Sequence, residues 1–380
     1  MNPLRIGVIG CGAIAQAMHL PHMFDYPEHF QVAALADSHR PTLEAVGERY
    51  GVPFRTVDWR QMMARQDIDA VALLHGGSHY PTLVAALDAG KHVFVEKPMT
   101  WSMAEAREVA ERVRQSDRVV QVGYHKLYDP AFDYAKQQLQ QMRDVGFGRI
   151  TVLHPENQLG LSPHRIRRGD GLIDEGHIEP PAAEDVVASG LQGSYSDALR
   201  DDVNAALGER KDDATLRVAH GFLTVSIIHQ IYMLYGFLGD PQRVVSTDIW
   251  RKGLSIHSVI DYGDDLHVTL DWHYLSHVKD YREEYAFYGH QDRVTMQLPA
   301  PYFRNFPSPV IVQGGDGELA WEKRVVVSYE EAFRLELTAF YENVRAGRQP
   351  QWGAVDDAVK HMRFIQQIVD AAGEGARSND

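Results

Sequence analysis

The sequence is poor in the residues that form covalent cross-links and metal sites. Cys11 is the only cysteine among 380 residues, so no disulfide can form within the chain, which favours a reducing cytoplasm. The 19 histidines are scattered, and HxH, HExxH and CxxC spacings are absent, so no metal is expected. No basic segment precedes an apolar stretch at the N-terminus, so no signal peptide is expected.

Positive charge is also scarce. A net charge of −14 would repel a phosphate backbone, so no nucleic-acid partner is expected. No apolar run is expected to be long enough to cross a bilayer, which argues against a membrane partner. With 44% hydrophobic and 24% charged residues, the composition is typical of a globular protein. A length of 380 residues is enough for two domains.

Short apolar segments alternate with helical patterns in the first third of the chain. The apolar segments have few polar residues, as strands buried on both faces require. Strands are predicted at 4–9, 30–36, 70–74, 92–95 and 119–123, and helices at 13–23, 41–50, 82–89 and 103–116. This order predicts an α/β domain with a doubly wound parallel sheet over residues 1–125.

The pattern changes after residue 125. Helices are predicted at 130–142, 214–238, 329–345 and 354–372, and strands at 150–154, 244–250, 255–261, 267–273, 284–288, 294–298 and 310–312. We therefore predict an α+β domain over residues 126–380 with an open, mainly antiparallel sheet. An open sheet face favours burial in a homo-dimer or homo-tetramer.

One long segment of this second domain, residues 155–212, has the sequence pattern of neither a helix nor a strand. It is polar and rich in Gly, Pro and Asp. A structureless loop of that size is often functional, so we expect this excursion to shape the substrate pocket or a subunit contact.

The segment RIGVIGCGAIAQ contains Gly10-x-Gly12-x-x-Ala15 between a predicted strand and helix. Such glycines allow a tight turn and let backbone N–H groups approach a pyrophosphate at the helix N-terminus. The motif predicts a dinucleotide site that includes Ala13 and Ile14. A glycine-rich turn that binds no ligand is the alternative.

Asp37 ends the second predicted strand, near the spacing of a carboxylate that binds the adenine-ribose 2′-hydroxyl. A carboxylate at this place, beside Ser38, repels a 2′-phosphate and favours NAD over NADP. Arg40 argues against this preference for NAD, because an arginine at this place can bind the 2′-phosphate of NADP. A helix N-cap is the alternative role for Asp37.

The segment VFVEKPMT carries Glu96-Lys97-Pro98 at the end of a later strand of the same sheet. Ligands of such folds bind at this carboxyl edge, where a lysine can contact both the nicotinamide ribose and a substrate hydroxyl. A surface turn is the alternative, because lysine before proline is common in loops.

Together these segments resemble the Gfo/Idh/MocA oxidoreductases. The resemblance also includes AALDAGKHVFVEKPMT, VQVGYHKLYDP, GFLTVSIIHQIYMLYGFLGDP and FRLELTAFYENVRAGRQP, and it covers nearly the whole chain except the excursion. It implies a Rossmann domain, an open mixed sheet and a tightly bound nicotinamide cofactor. It also implies redox chemistry at a carbinol or ketone carbon of a sugar, sugar derivative or cyclitol.

The resemblance further implies roles for single residues. Lys97 would contact the nicotinamide side and the reacting hydroxyl, and His229 would take or give the hydroxyl proton. For hydride transfer both would converge on one hydroxyl, within roughly 3–3.5 Å of it. The other residues implied at the cofactor are His79, Glu96 and Tyr124. The turn LLHGGSH departs from the family, and His75 with its two following glycines is expected to approach the cofactor through the backbone.

The sequence departs from the family near the catalytic histidine. Val225 replaces an aspartate four residues before His229, so the imidazole should be less basic. Ser226 or a side chain of the excursion is expected to orient it. The alternative for His229 is a structural role, as a core histidine whose polar atoms are hydrogen-bonded within the protein. Candidate substrate-binding residues are Ser226, Lys126 and Asn157.

The sequence therefore predicts an NAD(H)-dependent dehydrogenase or reductase acting on a small-molecule sugar or cyclitol. The alternative is a non-catalytic dinucleotide-binding regulator or redox sensor of the same fold. Loss of the helix aspartate is the change expected for that alternative, and retention of both Lys97 and His229 argues against it.

Overall fold

The protein is described by a computed structural model that covers residues 2–168, 171–172 and 197–373. Contacts along the chain divide it into two compact units. The first comprises Met1–His125, Leu161–Asp202 and Phe333–Met362, and the second Lys126–Gly160, Val203–Ala332 and Arg363–Asp380. Each unit is thus assembled from three separate stretches of chain.

The first unit contains a six-stranded sheet in the order β3-β2-β1-β4-β5-β6, in which all neighbours are parallel. The strands are β1 (Leu4–Ile9), β2 (Phe30–Ala36), β3 (Phe54–Thr56), β4 (Ala70–Leu73), β5 (His92–Glu96) and β6 (Val120–Gly123). This order is that of a Rossmann sheet and confirms the predicted fold. The sequence pattern does not predict β3, because the strand has only three residues and two of them are polar.

Helices connect these strands. They are α1 (Leu20–Asp25), α2 (Arg40–Tyr50), α3 (Trp59–Met63), α4 (Tyr80–Asp88) and α5 (Met103–Arg114), and a π-helical turn at Ala15–His19 leads into α1. Side chains of His39, Asp58 and Ser102 accept backbone N–H bonds at the starts of α2, α3 and α5. These caps fix where each helix begins.

The core of the first unit lies around the parallel sheet. Ile6 and Val8 of β1 and Phe94 of β5 are fully buried in it. Leu337 and Phe340, from a helix late in the sequence, belong to the same cluster. The C-terminal part of the chain therefore returns to complete the first unit.

The second unit contains an eight-stranded sheet in the order β10-β11-β12-β7-β13-β14-β15-β16. Only β12 and β7 pair in parallel, and all other neighbours are antiparallel, which confirms the predicted, mainly antiparallel sheet. The strands are β7 (Phe147–His154), β10 (Arg243–Trp250), β11 (Ser255–Gly263), β12 (Leu266–Tyr274), β13 (Arg282–Tyr288), β14 (Arg293–Leu298), β15 (Pro309–Asp316) and β16 (Leu319–Val326). The sequence pattern does not predict β16, an edge strand with a charged centre.

One face of this sheet is covered by helices. Along β12, buried and partly exposed residues alternate, as in a strand with one buried face. Phe237 contacts Phe132 of a neighbouring helix and Tyr285 and Phe287 of β13. Aromatic side chains therefore join sheet and helices. The remaining helices are α6 (Pro130–Gln141), α7 (Gln158–Leu161), α8 (Asp197–Leu207), α9 (Ala214–Phe222), α10 (Ile228–Leu238), α11 (Ala332–Ala346) and α12 (Val355–Asp370).

The predicted helix at 214–238 is present with an interruption. A π-helical turn, Leu223–Ile227, joins α9 to α10. Within the described residues, one helical stretch, Ala214–Leu238, is long enough and apolar enough to cross a membrane. In its most apolar window, 67% is buried inside the protein. The expectation that no such segment exists is wrong, because a window of this length tolerates a few polar residues. Burial of that extent is typical of a core helix.

The described parts of the excursion contain more structure than its composition predicts. They include α7, α8, a 3₁₀ turn at Gly208–Arg210 and a two-stranded pair, β8 (Arg167–Arg168) with β9 (Gly171–Leu172). Residues 173–196 lie outside the described part of the chain.

The different burial of β12 and β16 predicts that substitutions on the two strands differ in their effect on stability. Leu270 on β12 is 0% exposed, whereas Leu319 on β16 is 74% exposed. We expect Leu270→Ala to lower the free energy of unfolding by about 2–5 kcal/mol and Leu319→Ala to change it by less than about 0.5 kcal/mol. Urea denaturation of both variants measures this, and equal losses would contradict the core described for this sheet.

Candidate active site

The turn after β1 has the geometry of a dinucleotide-binding turn. Gly10 has φ +98°, and a Cβ there would lie 2.4 Å from the backbone nitrogen of His75. Only glycine fits this position. A Cβ at Gly12 would meet nothing within 4 Å, so this glycine opens onto unfilled space where a pyrophosphate can approach backbone N–H groups. Ala13 and Ile14 are half-buried beside it, and Ala15 is buried.

Gln16, which the sequence patterns do not single out, ties this turn to the excursion. Its Nε2 donates to Cys11 O (2.8 Å) and Arg167 O (3.0 Å), and its Oε1 accepts from Arg167 N–H (2.8 Å). The side chain is buried. Strand β8 is therefore anchored against the glycine turn within the first unit.

Asp37 stands beside the same turn. Its Oδ2 accepts from Cys11 N–H at 2.7 Å and its Oδ1 from His39 N–H at 2.8 Å. The side chain that caps α2 is His39, so Asp37 joins the end of β2 to the glycine turn. Ser38 and Arg40 are exposed nearby, and the Arg40 guanidinium lies 3.8 Å from Glu44.

At the end of β5, Glu96 is a buried carboxylate. Its Oε1 lies 2.7 Å from His19 Nε2, and its Oε2 accepts from Lys97 N–H at 3.1 Å. Burial would raise the pKa of Glu96, but the hydrogen bond and charge of His19, followed by the charge of Lys97, lower that pKa overall. Glu96 is therefore ionised and fixes the peptide that carries half-buried Lys97.

His79 holds the next peptide in place. Its Nδ1 lies 2.8 Å from Pro98 O and its Nε2 lies 2.8 Å from His75 O. Burial, with a smaller effect of His75, lowers the pKa of His79 to about 4. A neutral ring has one N–H, so it donates to one carbonyl at a time. His79 thus joins the turn after β4 to the segment around Lys97.

Two glycines follow His75 in the turn after β4. A Cβ at Gly76 or Gly77 would meet nothing within 4 Å, so this turn also leaves open space. His75 itself is half-buried, and its Nε2 lies 2.9 Å from Thr82 Oγ1.

Tyr124 lies deeper than its expected position beside the nicotinamide suggests. It is 1% exposed, and its hydroxyl lies 3.1 Å from His361 Nδ1. Burial lowers the pKa of His361 to about 3, so the ring is neutral at pH 7. A contact of Tyr124 with the cofactor stays a prediction.

In the second unit, His229 follows the π-helical turn at Leu223–Ile227, a feature often found at functional sites. The side chain is half-buried, and its Nδ1 lies 2.8 Å from the hydroxyl of Tyr232, one turn along α10. Ser226 Oγ accepts from Trp272 Nε1 at 3.2 Å. Tyr232 is therefore an orienting partner of His229 that the sequence reading missed, although its i+3 spacing could have indicated it.

Lys126 forms a buried ion pair. Its Nζ lies 2.7 Å and 2.5 Å from the two carboxylate oxygens of Glu283, and the exposed fractions of these residues are 4% and 1%. Asn157 is exposed at the start of the excursion. A contact of Lys126 or Asn157 with substrate stays a prediction.

The open space at Gly12 leads to a test that separates binding from folding. We expect Gly12→Ala to unfold at the wild-type temperature without cofactor, because the added methyl group meets no protein atom. We expect its affinity for NAD(H) to fall by tenfold or more, a loss of about 1.4 kcal/mol. Gly373→Ala, where a Cβ also meets nothing, is the matched control. Unchanged affinity in Gly12→Ala, measured by calorimetry, would rule out this turn as the pyrophosphate site.

Comparison with known proteins finds relatives of this chain. Residues 4–124 match GFO_IDH_MocA, an oxidoreductase family with an NAD-binding Rossmann fold. The chain is 33% identical over 256 residues to dTDP-3,4-didehydro-2,6-dideoxy-alpha-D-glucose 3-reductase of Saccharopolyspora spinosa, covering 64% of this chain and 74% of that protein. It is also 33% identical over 178 residues to inositol 2-dehydrogenase of Paracoccus denitrificans (strain Pd 1222), covering 45% and 52%.

A solved structure shows the same fold. KijD10, a 3-ketoreductase from Actinomadura kijaniata in complex with NADP and TDP-benzene, superposes with a TM-score of 0.72. The two chains are 18% identical, and the match covers 98% of each. From its matched residues and its relatives, the chain belongs to the Gfo/Idh/MocA family of oxidoreductases.

Proposed function

We propose that the protein is an NAD(H)-dependent oxidoreductase that interconverts a carbinol and a ketone in a sugar, sugar derivative or cyclitol. The observation that carries the proposal is the end of β5. There an ionised, buried Glu96 fixes the peptide of Lys97 at the carboxyl edge of the parallel sheet, where the glycine turn also lies. The names of two relatives, a keto-sugar nucleotide reductase and an inositol dehydrogenase, support the substrate class.

In the proposed reaction, one side chain stabilises the charge on the reacting oxygen and another transfers the hydroxyl proton. A bound nicotinamide supplies the hydride acceptor or donor. The ammonium of Lys97, placed against the reacting oxygen, stabilises the negative charge that develops on it. His229 takes the hydroxyl proton in oxidation and returns it in reduction, a role for which histidine is the usual side chain. The convergence of Lys97 and His229 on one hydroxyl stays a prediction.

We propose NAD(H) rather than NADP(H) as the preferred cofactor. The carboxylate of Asp37 lies beside the glycine turn, to which it is bonded through Cys11 N–H. Such a charge accepts a ribose hydroxyl and repels a 2′-phosphate. Against this stand Arg40, whose side chain is 67% exposed, and the NADP that is bound in the KijD10 structure.

The non-catalytic regulator remains the second candidate. The observation in its favour is Val225, which cannot supply the carboxylate that normally orients the imidazole. The hydroxyl of Tyr232 contacts His229 instead. This contact supports a catalytic role for the histidine.

Cofactor preference is measurable by calorimetry. We expect NAD(H) to bind at least tenfold more tightly than NADP(H), a difference of about 1.4 kcal/mol. Asp37→Ser should reduce the difference, because it removes the charge and leaves an oxygen that can still accept a hydrogen bond from the ribose. Binding of NADP(H) as tight as NAD(H) would refute the preference, and Arg40→Ala would then test whether Arg40 holds the phosphate.

Turnover by Lys97→Ala tests the activity itself. On a panel of sugars, nucleotide sugars and cyclitols we expect this variant to lose on the order of 10²–10³ in kcat, as when one charge-stabilising donor is removed, while its Kd for NAD(H) changes little. Lys323→Ala, at an exposed position on β16, is the matched control.

Two results would count against the enzyme. Near-normal turnover by Lys97→Ala would make the Glu96-Lys97-Pro98 segment a surface turn. Cofactor binding by the wild type without turnover of any panel member would favour the regulator.

A further inference from the structure

A fully buried carboxylate lies at the centre of the second unit. Glu283 Oε1 accepts from Lys126 (2.7 Å), Gln230 Nε2 (2.7 Å) and the Tyr285 hydroxyl (2.6 Å), and Oε2 accepts from Lys126 (2.5 Å) and the Tyr281 hydroxyl. We call these five residues the Glu283 hub. A carboxylate offers about four acceptor positions, so the hub leaves Glu283 no capacity to bind a substrate.

The charges of the hub are matched. Burial alone would raise the pKa of Glu283, but the charge and hydrogen bonds of Lys126, then the bonds from Tyr281 and Tyr285, lower that pKa overall. Burial also lowers the pKa of Lys126. With Nζ within 2.7 Å of both carboxylate oxygens, the ionised pair is the state that satisfies both groups.

Stability alone does not explain such a hub. Replacing a buried ion pair by apolar residues is often neutral or stabilising, because two charges have been taken out of water. What the hub provides is geometry, since five short contacts from three chain segments fix the positions of all its members.

The hub reaches His229 along α10. Gln230, a hub member, is the next residue in the chain. Tyr232, whose hydroxyl contacts His229 Nδ1, is fully buried. Burial and then Glu283 raise the pKa of Tyr281 and Tyr285, and Tyr232 is close enough to add to this effect. The turn of α10 that carries His229 is therefore held by the hub on one side of the histidine and by Tyr232 on the other.

We propose that Glu283 is a positioning residue for His229, and that His229 donates its Nδ1–H to the Tyr232 oxygen and keeps Nε2 unprotonated to take the substrate proton. This inference rests on the proposed function. The phenol replaces the carboxylate that Val225 cannot provide. A neutral acceptor fixes the tautomer without adding a charge, whereas a carboxylate would do both.

The tautomer can be read directly, without turnover. Histidine selectively labelled with ¹⁵N in the full-length protein gives separate signals for protonated and unprotonated ring nitrogens, and His229→Ala assigns those of residue 229. In the neutral ring of the wild type we expect a protonated Nδ1 and an unprotonated Nε2. In Tyr232→Phe we expect the two signals to move toward each other, because both tautomers are populated.

The hub itself is tested with two further variants. Lys126→Met combined with Glu283→Gln removes both charges together and leaves no unpaired ion. Gln230→Met keeps both charges and removes one donor, and it decides the question if the paired variant does not fold. Each should shift the His229 signals in the same direction as Tyr232→Phe and lower kcat on the order of tenfold, with KM nearly unchanged. Tyr235→Phe, the same substitution three residues after Tyr232, is the control.

The outcomes separate this inference from the proposed function. An unprotonated Nδ1 in the wild type, or wild-type ring signals in Tyr232→Phe, would overturn the tautomer assignment. Wild-type signals in every folded hub variant would overturn the role of Glu283. Absence of turnover by the wild type would count against the proposed function alone, because the ring signals still decide the arrangement around His229.

Discussion

The parallel pairing of the six strands is the constraint on which the first unit depends. Because every strand runs the same way, all carboxyl ends meet at one edge of the sheet. Gly10 follows β1, Asp37 follows β2, His75 lies after β4, and Glu96 ends β5. Backbone hydrogen bonding between the strands thus makes neighbours of residues that are far apart in the sequence. The contacts between their side chains follow from this pairing.

Both units place a buried carboxylate next to a residue of the proposed chemistry. Glu96 pairs with His19 and precedes Lys97, and Glu283 pairs with Lys126 and bonds the neighbour of His229. In each case other donors complete the coordination of the carboxylate. A buried charge that is held by several donors resists displacement, so each carboxylate fixes the backbone segment that carries its donors.

Local features of the sequence predicted one part of the candidate site and could not predict the other. Gly10, Asp37 and Lys97 are recognisable because each directly follows an apolar strand. The bond between Gln16 and Arg167 joins residues 151 positions apart, and that between Lys126 and Glu283 joins residues 157 positions apart. No periodicity connects such pairs.

The expectation that Ser226 or a side chain of the excursion orients His229 stays a prediction. For Ser226 it assumes the period of an α-helix, in which residues three apart share a face. The π-helical turn at Leu223–Ile227 adds a residue to that turn, and sequence periodicity does not indicate such a turn. The contact of His229 with Tyr232 lies on the regular turn that follows.

The anchoring of the excursion by Gln16 has a consequence for how this chain can diversify. At Arg167, Gln16 bonds the backbone N–H and the carbonyl and not the side chain. Substitutions of Arg167 other than proline can therefore leave both bonds to the glycine turn in place. The contact thus constrains the backbone of this strand while leaving its side chains open to change.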